Sequence, residues 1–141
     1  MDTAEAVATA VAFAWLGMVV AISFLETPLK FRAPGVSIPI GLGIGRLVFR
    51  ALNTVEAVLA AVLVVTMVVG SLATTALVAG ILVVGILAVQ IGLVRPRLTK
   101  RSDRVLAGED VPRSHAHLAF IVLECAKVVA LIVTGVALLS A

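Results

Sequence analysis

The chain has 141 residues, of which 62% are hydrophobic and 13% charged, with a mean hydropathy of +1.22. A soluble domain carries about 25% charged residues, so this composition excludes an ordinary soluble surface and calls for lipid around much of the chain. The pI of about 9.8 does not imply nucleic acid, because the basic residues flank apolar runs, and no nucleic-acid partner is expected. A single cysteine, Cys125, excludes an internal disulfide framework. At about 20 residues per span, the length allows one integral membrane domain, residues 1–141, of about four spans.

The first span is expected over 6–25, because Ala6 to Leu25 contains no charge. Asp2 and Glu5 are acidic where a secretory signal would be basic, so the segment reads as a retained helix. Ala6, Ala10 and Ala14 form a small-residue ridge suited to close helix contact.

Residues 26–46 form the first connection. Pro28, Pro34 and Pro39 are expected to stop a helix there. Lys30 and Arg32 suit a cytoplasmic face. The run GLGIG lacks the spacing and the preceding strand of a dinucleotide fingerprint. It does stand just before an expected helix N-terminus. Gly43, Gly45, Arg46 and Arg50 therefore form a candidate anion site, with the headgroup of an anionic membrane lipid as occupant. The alternative is a flexible hinge with arginines anchoring the helix at the headgroups.

Ala57 to Val94 is 38 residues without a charge. One helix of that length would run about 57 Å against a hydrocarbon core of about 30 Å. It must turn, and Gly70, Ser71, Thr74 and Thr75 mark the place. Spans two and three are thus expected over 47–69 and 76–94. Ala88 and Gly92 offer a second close-packing pair. Residues 95–117 form a polar loop, with at most a short helical turn around Val105 to Asp110, and span four covers 118–139.

The two connections and their helix mouths hold ten of the eleven basic residues. The positive-inside rule then puts both termini on the non-cytoplasmic side of a cytoplasmic-type membrane. The fold class is all-α, a four-transmembrane-helix bundle.

Chemistry concentrates inside the spans. Arg50, Asn53 and Glu56 open span two, Gln90 closes span three, and Glu124 and Lys127 lie in span four. Spans two and four run parallel, which sets both glutamates about 9 Å deep at 1.5 Å per residue. These six residues are expected to form one polar cluster. An intramembrane ionisable group is a functional candidate by default. The cluster reads as an ion-paired clamp, a permeation or proton-relay site, or a binding or catalytic site. His115 and His117 diverge on a helix and make no metal pair. No catalytic set, metal motif or cofactor is expected.

The apolar first span, the Gly-rich connection, the run GRLVFRALNTVE and the histidine at 117 resemble a small four-helix membrane family of unknown function, one member of which is linked to platinum-drug tolerance. That family carries an amide seven residues after the histidine, where this chain has Glu124. Arg50, Asn53 and Glu56 also resemble, in part, the arginine-then-N-x-x-E element of the membrane-associated eicosanoid and glutathione enzymes. Their tyrosine has no counterpart, since the chain has none. The leading expectation is a small transport, permeation or accessory protein, as a homo-oligomer or within a larger complex. A structural or assembly subunit comes second, and a lipid- or glutathione-binding enzyme third.

Overall fold

A computed structural model describes all 141 residues. The chain is all-helical, and four helices are long and apolar enough to cross a membrane: α1 Thr3–Lys30, α2 Ile38–Val69, α3 Thr74–Leu106 and α4 His115–Ser140. Asp2 starts α1 through a capping box with Glu5, the Asp2 side chain accepting from Glu5 N–H at 2.8 Å. Ser37 caps α2, its hydroxyl accepting from Ile40 N–H at 3.3 Å.

Three helices overrun their expected ends. Pro28 does not stop α1, and Pro96 does not stop α3. Each proline follows a stretch of wider π-helix, Val20–Glu26 and Gln90–Val94. Proline removes a donor and crowds the carbonyl four residues back, and the wider turn relieves both. At the first site the Thr27 hydroxyl also donates to the Ile22 carbonyl at 2.9 Å. The expected loop over 95–117 is therefore helical through Leu106. Pro39 sits in the first turn of α2, where its missing N–H has no partner to lose, so this helix begins at Ile38 instead of near Leu47.

The glycine run is thus inside α2, and its N–H groups serve the helix. Its role is close approach. A Cβ at Gly41 would collide with the Phe31 ring, and one at Gly45 would stand 3.0 Å from the Lys30 Nζ. The end of α1 folds onto this bare surface of α2.

The small-residue ridges also face elsewhere than expected. Ala6, Ala10, Ala14, Ala88 and Gly92 are on exposed faces. The core instead takes Ala8, Trp15 and Val19 from α1, Ala60 and Leu63 from α2, Ala76, Val83 and Leu87 from α3, and Leu131 and Leu138 from α4. Helix α4 packs chiefly on α3 and α1, and α1 also packs on α2. At Gly135 an added Cβ would lie 2.7 Å from the Phe13 ring, so α1 and α4 approach closely there.

The α2–α3 turn lies beside the start of α1, where a Cβ on Gly70 would meet Ala4 at 2.6 Å. The links 31–37 and 107–114 lie at the opposite, basic end. Counting from the turn at 1.5 Å per residue, a core of about 30 Å is crossed by about residue 50 on α2 and about residue 94 on α3. The remainder of both helices projects past that depth at the basic end.

Candidate functional site

A buried polar cluster lies about one to two turns inside the level of residues 50 and 94 and draws on all four helices. Lys127 is 1% exposed and aims its ammonium at three acceptors: Glu56 Oε2 at 2.6 Å, Glu124 Oε1 at 2.7 Å and Gln90 Oε1 at 2.8 Å. An ammonium has three N–H groups, and each has a partner here. Trp15 Nε1–H donates to Glu56 Oε2 at 2.7 Å, Ser23 Oγ–H to Glu124 Oε2 at 2.6 Å and Gln90 Nε2–H to Glu124 Oε1 at 3.3 Å. Ser23 and Gln90 both belong to π-helical stretches. The same irregular turns that admit the prolines thus supply two ligands of the cluster. Lipid tails are as apolar as the side chains, so burial from water does not drive helix against helix within a membrane. Packing and polar contacts between helices take over that role there.

Arg50 and Asn53, expected in the cluster, are not in it. The buried stripe of α2 runs Phe49, Leu52, Glu56, Ala60, Leu63. At 100° per residue, Arg50 lies about 120° around the helix from Glu56, so a row of i+3 steps drifts off the face. Both residues instead line a cavity of about 900 Å³ at the basic end, between the helix mouths.

That cavity is the second feature of the site. Its walls include Lys30, Arg46, Arg50, Arg95, Arg101 and Arg113, and no carboxylate. Gly43 and Gly45 line it as well, through the surface of α2. Only part of this charge is met inside the protein. Arg46 pairs with Asp103 at 2.7 Å, and Lys30 stands 3.7 Å from Glu26. Arg101 donates to the carbonyls of Val111 and Pro112, both at 3.1 Å. Arg50, Arg95 and Arg113 have no ion pair.

Arg95 stands at the inner wall. Its guanidinium carbon lies 4.6 Å from the ring centre of Phe49 and 5.3 Å from that of Phe120, and the two rings meet edge to face. Cation–π contact holds the charge in place. The Nη2 group is nevertheless buried without a hydrogen-bond partner. Such a donor normally costs about 1–3 kcal/mol, more when charged, which makes it the most conspicuous unmet group in the cavity.

Of the residues singled out in the sequence, Glu56, Gln90, Glu124 and Lys127 come together, and Gly43, Gly45, Arg46, Arg50 and Asn53 share the cavity. Trp15, Ser23 and Arg95 were missed. Trp15 is the one tryptophan of the chain, set mid-span with a donor needing a partner, and that was the available signal. No family model, curated protein or solved structure matches the chain, so neither resemblance gains support from known proteins.

Proposed function

We propose that the chain is an integral protein of a cytoplasmic-type membrane, of the transport, permeation or accessory class, and that it engages an anionic ligand in the basic cavity. The carrying observation is the unpartnered Arg95 guanidinium in a cavity with six cationic and no acidic walls. Fixed charges of one sign in a partly enclosed cleft concentrate the opposite ion. The basic end faces the cytoplasm by the positive-inside rule. On a Cys125→Ser background, Ser71→Cys should then label from outside and Ser102→Cys only from inside; labelling of both from one side would overturn the four-span model, and reversed labelling would overturn this orientation.

In this reading the buried cluster is a clamp. Its hydrogen bonds are internal, and none of Glu56, Gln90, Glu124 or Lys127 lines the cavity. Transport is tested in proteoliposomes. Anion flux above that of empty vesicles, reduced by Arg95→Gln with the protein still folded, supports the transport class. No flux across a panel of anions, cations and protons favours the second reading, a structural or assembly subunit. The saturated coordination of Lys127 speaks for that reading. Broad exposed apolar faces, including Ile81, Leu82, Val122 and Val129, are compatible with a homo-oligomer in either case.

A further inference from the structure

We infer that the occupant of the basic cavity is a phosphate group carried by a lipid, with Arg95 as its innermost donor. This rests on the reading of the cavity as an anion site and names the ligand class.

Three observations converge. The first is charge. Arg50 and Arg113 have no ion pair within the protein, Arg95 is attracted by Glu124 and Glu56 without contacting either, and a phosphate monoester carries about two negative charges near neutral pH, with several acceptor oxygens to share. A single carboxylate would leave more of this charge unmet. The second is size and lining. A volume of about 900 Å³ far exceeds one phosphate ion, and the same walls carry Phe31, Ile38, Leu42, Leu47 and Leu98. Ile38 and Leu47 are 62% and 72% exposed, so the apolar wall continues onto the outer surface of α2. A ligand with a charged head and an apolar body fits both halves. The third is depth. Arg50 and Arg95 fall where α2 and α3 leave the hydrocarbon core, which is the level of lipid headgroups. Phosphate is held there on a chain that already lies beside the cavity.

Binding is measured on the purified full chain in neutral detergent, as thermal stabilisation against added ligand. Micelles doped with phosphatidate, phosphatidylglycerol or phosphatidylcholine are compared with inorganic phosphate. Phosphatidate should stabilise at the lowest concentration and phosphatidylcholine least. The double variant Arg50→Gln/Arg113→Gln should need about tenfold more phosphatidate for the same shift. Ser102→Asp, which sets a carboxylate on the cavity wall, should weaken binding in the same direction and serves if the double variant does not fold. Equal stabilisation by inorganic phosphate would overturn the lipid assignment and leave the anion site standing. Equal stabilisation by phosphatidylcholine, or unchanged binding in both variants, would overturn phosphate recognition in this cavity. None of these outcomes depends on flux, so this inference and the transport class fail separately.

Discussion

The buried cluster and the basic cavity are built from the same four helices, yet their charges are treated in opposite ways. In the cluster two carboxylates enclose one ammonium, and tryptophan, serine and glutamine donors bind the carboxylate oxygens. In the cavity the cations outnumber any internal partner, and Arg95 holds a buried donor with none. The three donors of Lys127 are all met in the cluster, so its ammonium has none left to offer a ligand. An unsaturated set is less stable alone and gains from one. The two sets therefore differ in how their donors are met, about two turns apart along α2, while the cluster's surplus negative charge, two carboxylates against one ammonium, still attracts Arg95.

The strongest way to break this division is to unbalance the cluster. Lys127→Met leaves Glu56 and Glu124 buried with no cation between them. Removing one partner of a buried pair costs about 3–5 kcal/mol, whereas replacing both with apolar groups is often near neutral. The expected result, read as thermal unfolding in detergent, is a large loss for Lys127→Met and for Glu56→Gln, with part of it recovered in the double variant. The same cycle with Glu124→Gln separates the two carboxylates, which contact Lys127 at 2.6 and 2.7 Å. Strict additivity in both cycles would mean that the charges act independently and that the clamp does not exist.

A smaller effect is expected at Trp15, which is fully buried. Trp15→Phe keeps most of the ring but removes the Nε1–H that meets Glu56. Hydrogen bonds to charged groups contribute about 1.5–3 kcal/mol, and the loss should fall in that range or below it. The decisive readout is coupling: on a Glu56→Gln background the same change should cost less. A loss of equal size on both backgrounds would assign Trp15 to packing alone.

How much of this was legible beforehand depends on the signal. The four apolar helices and the α2–α3 turn follow from runs of uncharged residues and one Gly-Ser break, and both stand out locally. Helix ends near proline were not legible, because Pro28 and Pro96 are absorbed by π-helical turns, whose own residues Ser23 and Gln90 find partners on α4 in Glu124 and Lys127. Glu56, Gln90, Glu124 and Lys127 were found because polar groups in apolar runs demand partners. Their real coordination was not, since it required knowing that α1 passes close enough to bring Trp15 and Ser23. Arg95 read as the first residue of a loop. Only the continuation of α3 turns it inward between Phe49 and Phe120, and with it the cavity gains its inner wall.

The smallest expected change in stability sharpens the other half of the comparison. Asp103 binds Arg46 at 2.7 Å, with side chains 57% and 39% exposed. An exposed pair of this kind contributes about 0–1 kcal/mol, so Asp103→Asn should leave thermal stability nearly unchanged. Its effect on the cavity should be larger than its effect on the fold. Arg46 lines the cavity but is engaged by Asp103, which competes with any anion for the same guanidinium. Neutralising Asp103 frees that group and removes a nearby negative charge, and both favour an anionic ligand. Phosphatidate should therefore bind a few-fold more tightly to Asp103→Asn than to the parent chain. Because the competing charges are solvent-exposed, the gain should shrink as salt is raised. Weaker or unchanged binding at low salt would show that the Arg46–Asp103 bridge shapes the cavity mouth and does not compete with its ligand.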